Sequence, residues 1–273
     1  MRKSILTLGI AAVLTGVLAT CSMTYAADDE LAQIQESGKL KVGVEGTYPP
    51  YTYHDDNGEL TGFDVEVAKA IADKLGAEAD FTESDWDSLL AGIDSGRLDT
   101  VINAVSITPE REEKYDFAGP YFYITQQIVV AKDNDIVDMA SLDGKKVANT
   151  ATTAYLDILE DAGASLVQIS TADEAVSLIE SGRADFTTFN SVVFNEYLQQ
   201  HPDANLKVAF VIPDVVDTYA VPIKKGETAL YDAVQNAIDE LKEDGTLSKL
   251  SEDYFGTDFT QPQDENAANT DTA

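Results

Sequence analysis

Residues 89–102 read LLAGIDSGRLDTVI, and residues 175–188 read AVSLIESGRADFTT. In both stretches an amphipathic run leads to Ser-Gly-Arg, and a β-prone run with an aspartate near its start follows. A glycine at the end of a helical run and an apolar run directly after it are ordinary signs of a helix-to-strand connection. Because the same connection occurs in each half of the chain, the sequence suggests two lobes with one plan.

Short β-prone runs alternate with amphipathic runs along the body of the chain. Residues 40–44 and 79–84 predict strands, and residues 63–76 predict a helix that ends at Gly76. A second series of the same kind begins with the long strand at 125–132. Strands that alternate with helices pair in parallel, so the sequence predicts an α/β fold.

The chain passes twice between the two series, which predicts discontinuous lobes. The first lobe would use both chain ends, residues 27–126 and 217–257, and the second lobe would use residues 127–216. The connecting strands would bend near Gln127 and Thr218. Open α/β sheets bind ligands beyond the carboxyl ends of their strands, so we expect the binding site in the cleft between the lobes.

The two ends of the chain carry patterns that are separate from the fold. Residues 1–26 combine a basic start with an apolar run that is shorter than a membrane span, which predicts an export signal. Cleavage after Ala26 would give a soluble periplasmic protein, whereas the segment that ends at Cys21 resembles a lipidation site and would give a lipid-anchored one. Residues 258–273 lack an apolar pattern and predict a disordered acidic tail.

The composition excludes several classes of function. The formal net charge is -31 at pH 7, so we expect neither nucleic acid nor an anionic membrane surface as a partner. The only cysteine, Cys21, lies in or beside the export signal, so the folded part has no disulfide and no thiol nucleophile. The sequence contains no phosphate-binding glycine loop, and we expect no cofactor and no resident metal.

Residues 106–111 read SITPER and end an apolar run. The Thr-Pro-Glu triplet suits the cap and first turn of a short helix. Arg111 does not, because a cation in the first turn opposes the helix dipole and calls for a compensating anion. Together with backbone N–H groups near Ser106, its guanidinium could hold a carboxylate. The alternative is a salt bridge between Arg111 and a neighbouring acidic side chain.

Several motifs, in order along the chain, resemble the family 3 extracellular solute-binding proteins, the amino-acid receptors of ABC importers. They are LKVGVEGTYPPYTY, GFDVEVAKAIADKLG, NAVSITPEREEKYDF, LDGKKVANTATTAY and ELKEDGTLSKLSEDYFG, within roughly residues 38–257. VANTATTAY and NAVSITPEREEKYDF look most like the cystine and sulfur-amino-acid branch. The resemblance implies a two-lobed periplasmic-binding-protein-like fold of type II, with two open sheets, flanking helices and two hinge strands. It also implies a monomer that captures a polar amino acid, with cystine as one candidate, and delivers it to a membrane permease.

The resemblance further implies that nine residues bind the ligand. They are Glu45, Tyr48, Trp86, Ala104, Ser106, Arg111, Thr152, Thr153 and Asn190. By this resemblance Arg111 clamps the ligand α-carboxylate, helped by Ser106 and by Thr153 from the second lobe. The carbonyl of Ala104 would accept a hydrogen bond from the α-ammonium.

The same resemblance assigns the ligand side chain to other residues. Tyr48 and Trp86 would sandwich it, Glu45 would read its polarity, and Thr152 would line the second lobe. Each has a structural alternative: Tyr48 could brace the proline turn after it, and Trp86 could be a core residue. Glu45 could be a solvated strand end, and the threonines could cap a helix.

One position departs from the family pattern. Many members have an aspartate after the second-lobe strand, where it pairs with the α-ammonium, and this chain has Asn190. An amide can accept a hydrogen bond but cannot neutralise the charge. Three alternatives are open from the sequence: weaker binding, a replacement charge from Glu45, or a ligand that is not an ordinary α-amino acid.

Two other classes of protein compete with the receptor. A cyclohexadienyl dehydratase-like enzyme on the same fold would need a general acid in the cleft, and the quoted motifs show no unmatched acidic residue there. A sensor domain would need a membrane span and an output domain, which this sequence lacks. We therefore expect a binding protein rather than an enzyme.

Overall fold

The computed structural model describes residues 30–262. The predicted signal at 1–26, the possible lipidation site at Cys21 and residues 263–273 lie outside the described residues. Within the described range, no helix combines the length and apolar character that a membrane crossing requires.

The first half of the described chain contains the following elements in order. They are α1 (Glu30–Ser37), β1 (Lys39–Val44), β2 (Thr47–Tyr48), β3 (Thr52–His54), β4 (Leu60–Thr61), α2 (Phe63–Leu75), β5 (Glu78–Glu83), α3 (Trp86–Asp94), β6 (Thr100–Val101), α4 (Pro109–Glu112) and β7 (Tyr115–Ala131). The second half begins with a 3-10 turn at Met139–Leu142. It continues with β8 (Lys146–Asn149), α5 (Leu156–Asp161), β9 (Ser165–Gln168), α6 (Ala172–Glu180), β10 (Phe186–Asn190), α7 (Ser191–Gln200), β11 (Leu206–Lys224), α8 (Thr228–Glu243) and α9 (Thr246–Phe255).

The first lobe is built on a parallel sheet in the order β5-β1-β6. Helix α2 covers this sheet with the apolar stripe that its sequence predicts, and Phe63, Val67 and Ile71 are fully buried. Gly76 ends the helix in the left-handed conformation, with φ 75°, a region that glycine enters without steric cost. The late helices α8 and α9 pack beside α2, so the last part of the chain completes the core of the first lobe.

The second lobe is built on a five-stranded sheet in the order β11-β7-β10-β8-β9. Strand β8 pairs in parallel with β9 and β10, as the alternating pattern predicts. Strand β10 pairs with β7 in the antiparallel sense. Helix α6 packs on this sheet, and its cap Thr171 accepts a hydrogen bond from the backbone N–H of Glu174.

Two long strands, β7 with 17 residues and β11 with 19, join the lobes. They pair in the antiparallel sense from Tyr115 opposite Lys224 to Ala131 opposite Leu206. The register shifts between Val211 and Val216, so the ladder is irregular near the middle of the pair. The fold is therefore a two-lobed α/β fold with two connecting strands, and this prediction is confirmed.

Several parts of the fold differ from the sequence-based expectation. Strands β2, β3 and β4 form a small antiparallel sheet that the sequence patterns did not indicate, and β6 is much shorter than the apolar run at 98–105. The start predicted for the disordered tail, residue 258, is also too early in the chain. Phe259 packs against Phe122, with ring centroids 5.2 Å apart, and its carbonyl accepts a hydrogen bond from the backbone N–H of Tyr123. Residues 258–262 therefore belong to the folded first lobe.

Candidate functional site

A cavity of ≈ 130 Å³ lies between the two lobes. Seven of the nine residues implied by the resemblance line it: Glu45, Tyr48, Trp86, Ala104, Ser106, Arg111 and Thr153. Thr152 and Asn190 are not among the lining residues. The first lobe supplies most of the predicted set. The second-lobe wall comes from the loop between β8 and α5, from residues 169–175 and from β10.

Arg111 is held by the short helix that the sequence predicts. Thr108 caps α4 and accepts a hydrogen bond from the backbone N–H of Arg111 at 3.2 Å. The Arg111 guanidinium donates to the carbonyl of Ser106 at 2.8 Å and to the carbonyl of Thr152 at 2.7 Å. The side chain is therefore fixed from both lobes before any ligand is considered.

The guanidinium of Arg111 is buried without an ion pair among the described residues. The alternative of a salt bridge to a neighbouring acidic residue is therefore not formed. Burial lowers the pKa of Arg111 from its usual value, whereas negative charge nearby, including that of Asp217, raises it. A buried guanidinium with only carbonyl acceptors is incompletely compensated, so an anion in the cavity would find a strong partner.

The aromatic residues divide between packing and the cavity. Trp86 begins α3, and the guanidinium carbon of Arg111 lies 5.3 Å from its ring centroid, a cation–π contact. One face of Trp86 thus supports Arg111 in addition to lining the cavity. Tyr48 stacks on the fully buried Tyr51 with ring centroids 5.4 Å apart. Both predicted aromatic residues lie at the cavity, with their rings already positioned by neighbours.

Ala104 has an unusual backbone conformation for its position in the cavity wall. Its φ is 50°, in the left-handed region that costs an alanine free energy. The backbone N–H of Ala104 donates to Asp64 at 2.6 Å, and Asp64 also accepts a hydrogen bond from the hydroxyl of Tyr121 at 3.0 Å. Burial raises the pKa of the Asp64 carboxyl to about 7, although these hydrogen bonds oppose the shift. Asp64 thus helps to hold the strained backbone at Ala104.

Glu45 follows β1 and is fixed by Asn103. The side-chain amide of Asn103 donates to the Glu45 carboxylate at 2.8 Å, and its carbonyl oxygen accepts from the Glu45 backbone N–H at 2.8 Å. Burial raises the pKa of Glu45 to about 7, the hydrogen bond from Asn103 lowers it, and the charges of Asp85 and Asp87 raise it further. Glu45 is therefore a positioned cavity carboxyl rather than a solvated strand end.

The second-lobe threonines have different positions. Thr153 lines the cavity, whereas the exposed side chain of Thr152 points to the first lobe and donates to Asp87 at 2.7 Å. The expectation that the Thr152 side chain lines the cavity therefore needs correction. Only its backbone carbonyl approaches the site, where it accepts from Arg111.

The position of Asn190 also corrects the expectation. Its carbonyl oxygen caps α7 by accepting from the backbone N–H of Val193 at 2.9 Å. Its amide donates to the hydroxyl of Tyr219 at 2.9 Å and to that of Tyr51 at 3.1 Å. Both ends of the amide already have partners within the protein, and Asn190 is not among the residues that line the cavity.

A residue that the sequence reasoning missed, Asp217, lies in the cavity wall on β11. Only 5% of Asp217 is exposed, and its carboxylate accepts hydrogen bonds from Gln126 at 3.0 Å and from the hydroxyl of Tyr155. Burial raises its pKa, whereas the hydrogen bonds, including one from Ser106, and the charge of Arg111 lower it. The sequence predicts only a connecting strand near Thr218, and nothing local marks Asp217 as a site residue.

Direct hydrogen bonds join the two lobes around the cavity. Besides the contacts of Thr152, the hydroxyl of Tyr155 lies 3.4 Å from that of Ser106. Gln168 reaches Asp87 at 3.5 Å. These contacts require that the lobes be closed on one another, so the structure represents a closed cleft. Among the described residues, no group of three or more His, Cys, Asp or Glu side chains is placed to hold a metal ion.

The fold, the interlobe cavity and the buried arginine define a two-lobed binding protein that encloses its ligand between the lobes. The chain belongs to the bacterial extracellular solute-binding proteins, family 3, whose family model matches residues 40–257. The resemblance stated from the sequence is confirmed. Membership in this extracellular family means that the protein acts outside the cytoplasm.

Individual relatives support the same assignment. The L-cystine-binding protein TcyA of Bacillus subtilis is 40% identical over 271 residues, which cover 96% of this chain and 100% of the relative. An ancestral arginine-binding protein bound to arginine has a TM-score of 0.74 at 36% identity, covering 80% of this chain and 99% of the other.

A third comparison bears on the state of the cleft. The L-cystine solute receptor of Neisseria gonorrhoeae in its unliganded open conformation has a TM-score of 0.57 at 39% identity, covering 85% of this chain and 99% of the other. The lower TM-score at the higher identity is the result expected when a closed cleft is compared with an open one.

Proposed function

We propose that this protein is the substrate-binding component of an ABC importer and that it captures a polar amino acid by lobe closure. The observation that carries the proposal is the guanidinium of Arg111, buried in the interlobe cavity beside Ser106 and Trp86. It is the only cationic side chain among the described residues that line the cavity. A ligand carboxylate at this position would receive charge-assisted hydrogen bonds in a site shielded from water.

Cystine and arginine are leading candidates for the ligand. The first is bound by the relative TcyA and the second by the ancestral protein, according to their names. The carboxyl of Glu45, fixed by Asn103, favours a ligand side chain that donates hydrogen bonds or carries positive charge. The aromatic rings of Tyr48 and Trp86, which both line the cavity, would pack on its apolar part.

Closure follows from the division of the site between lobes. The ligand would first meet the open first lobe, where Arg111 and Ser106 receive its carboxylate. The second lobe would then bring Thr153 and Tyr155 to the other side while β7 and β11 bend between the lobes. The closed form would dock on a membrane permease and release the ligand there. Export would follow cleavage after Ala26, with a lipid anchor at Cys21 as the alternative.

Calorimetric titration tests the proposal. The protein without residues 1–26 would be unfolded and refolded to remove carried-over ligand, and then titrated with L-cystine, L-arginine, L-glutamine and the remaining L-amino acids. We expect heat from one or a few of them at micromolar concentrations, equivalent to about 8 kcal/mol of binding free energy. Absence of binding across the whole panel would contradict the proposal. Release of phenylpyruvate from prephenate would instead support a dehydratase.

A further inference from the structure

The cavity wall contains a cationic side chain and a carboxyl group that lie close together. Of the described residues that line it, Arg111 carries positive charge, and Glu45 and Asp217 carry carboxyl groups. Arg111 and Asp217 are near enough that each shifts the pKa of the other. An α-amino acid carries its carboxylate and its ammonium on one carbon, so it needs two opposite charges at short range.

Asn190, at the end of β10, supplies no negative charge to the cavity. Asn190 is neutral, caps α7 with its oxygen, and donates its N–H groups to Tyr51 and Tyr219. Asp217 is different because it carries a carboxyl group and is part of the cavity wall. Among the described residues that line the cavity, two carry a carboxyl group that could pair with a ligand ammonium: Asp217 and Glu45.

The two carboxyl groups lie in different parts of the cavity. Glu45 is bound to Asn103 and lies in the field of Asp85 and Asp87, at the side of the cavity where α3 begins. Asp217 lies on the connecting strand β11 and is within hydrogen-bonding reach of Ser106. The hydroxyl of Ser106 also lies 3.4 Å from that of Tyr155 in the second lobe. Asp217 is thus the carboxylate that shares the neighbourhood of Ser106 and Arg111.

We propose that Asp217 is the specificity-determining residue that pairs with the ligand α-ammonium and so replaces the charge that Asn190 lacks. The inference rests on the proposed function and narrows its substrate class to zwitterionic α-amino acids. Gln126 and Tyr155 hold the carboxylate in place from β7 and from the second lobe. Their hydrogen bonds reduce the side-chain freedom that would otherwise be lost on binding.

The burial of Asp217 should also make the protein discriminate against ligands that lack an α-ammonium group. Once the cleft is closed, Asp217 is shielded from water, and a ligand without an ammonium leaves this charge unpaired. An unpaired buried charge carries a large desolvation penalty. The receptor should therefore discriminate between an amino acid and its des-amino analogue by about 30-fold or more, the range expected when one member of a buried charge pair is missing.

The test measures this discrimination in the wild type and in Asp217→Asn. The probes are L-cystine with dithiodipropionic acid, and L-glutamine with glutaramic acid; each second compound lacks only the α-ammonium groups. Asp217→Asn keeps an acceptor for Gln126 and removes the charge. We expect the variant to lose affinity for the amino acid by about tenfold or more and to lose little for the analogue, so that the ratio of the two dissociation constants falls.

Control variants separate this role from others. Glu45→Gln changes the other cavity carboxyl, which we assign to the ligand side chain. L-Glutamine and glutaramic acid have the same side chain, so this variant should change both of their dissociation constants by the same factor and leave their ratio unchanged. Asp217→Ser serves as a second variant if Asp217→Asn does not fold, as judged by thermal unfolding without ligand. It should lower the ratio in the same way.

Four results would overturn the inference. Equal loss of affinity for both members of a probe pair would make Asp217 a merely structural residue. If the wild-type protein binds the amino acid and its analogue equally well, no residue pairs with the α-ammonium, and the inference fails without any variant. A wild-type protein that binds amino acids while Asp217→Asn keeps the full ratio would contradict the Asp217 assignment alone, whereas a wild type that binds no amino acid would overturn the proposed function together with it.

Discussion

The two walls of the cavity differ in how firmly their groups are held. On the first lobe, Glu45 is fixed by Asn103, and Ala104 by the buried Asp64. On the second lobe, Thr153 belongs to a loop before a helix of only six residues. The first lobe therefore carries charge and preorganised geometry, whereas the second contributes hydroxyl groups that complete the site when the cleft closes.

The largest loss of ligand affinity is expected for a substitution of Arg111, in the cavity wall that the first lobe supplies. Arg111→Ala should cost about 2 to 5 kcal/mol of binding free energy, because the ligand carboxylate would be enclosed without its partner. Against micromolar binding this loss nearly abolishes capture. Titration of the amino acid that binds the wild type would measure it.

A matched control for this variant is Arg183→Ala. Arg183 is exposed on the second lobe and donates to Ser181, away from the cavity. Its removal should leave affinity unchanged. Tight binding by Arg111→Ala would show that the carboxylate is held elsewhere and would remove the main distinction between the walls.

On the second wall, Tyr155→Phe should have a smaller effect. The hydroxyl of Tyr155 contacts Ser106 and Asp217 across the cleft, and each lost hydrogen bond is worth about 0.5–1.5 kcal/mol. The contact forms only on closure, so we expect the dissociation rate of the ligand to rise by up to roughly tenfold, with little change in the association rate. Stopped-flow displacement measures both rates.

Tyr231→Phe is the matched control for the loss of a tyrosine hydroxyl, since Tyr231 lies on α8, away from the cavity. Its rates should match those of the wild type. A decrease in the association rate of Tyr155→Phe, with an unchanged dissociation rate, would mean that Tyr155 acts before closure.

Part of the pH dependence of stability should come from buried carboxyl groups of the first lobe and of β11. The described carboxyl groups with a raised pKa are Glu30, Glu45 and Asp64 in the first lobe and Asp217 on β11. For Asp64 the folded protein retains its proton up to about pH 7, whereas the unfolded chain loses it near the usual value of 3.8. Stability from this group is therefore full below about pH 3.8 and is lost as the pH rises to about 7.

Asp64→Asn tests this prediction, because asparagine can accept from Ala104 and donate to Tyr121 without titrating. Between pH 8 and pH 5.5 the melting temperature of the wild type should rise, by roughly 2–4 °C for each kcal/mol gained, and that of the variant should rise less. Thermal unfolding followed by circular dichroism at several pH values measures the difference. Parallel curves for the two proteins would show that Asp64 does not titrate in this range.

The smallest change in ligand release is expected for Thr152→Val, at the exposed edge of the cleft. The exposed hydrogen bond between Thr152 and Asp87 is partly replaced by water when it opens, so we expect a two- to threefold faster release, or about 0.5 kcal/mol. Thr82→Val, at an exposed strand position of the first lobe, is the control. An effect as large as that of Tyr155→Phe would show that this edge holds the closed state as firmly as the cavity does.

Much of the fold follows from local patterns. The apolar spacing of α2 and the glycine after it predict the helix and its end, because both depend only on near neighbours along the chain. The small sheet of β2, β3 and β4 was missed because its strands have two or three residues, too short for a period to show. The place of Phe259 was missed because it depends on aromatic rings far away in the sequence.

The site divides in the same way. Arg111 could be predicted because a capped helix start with a misplaced cation is visible in six residues. Asn190 was placed correctly at the end of β10, but its partners Tyr51 and Tyr219 are brought to it only by the closed tertiary structure. Asp217 was missed for the same reason, since its partners Gln126 and Tyr155 lie on other elements.

The late position of α8 and α9 in the chain has a consequence for biosynthesis. Leu230, Val234 and Ile238 on α8 are buried in the core of the first lobe, yet a ribosome adds them only after all the residues of the second lobe. A nascent chain can complete the second lobe while the wall that carries Arg111 still lacks its covering helices. The charged half of the binding site is thus the last to mature, and a chain released before Thr228 would have no finished receptor for an amino acid.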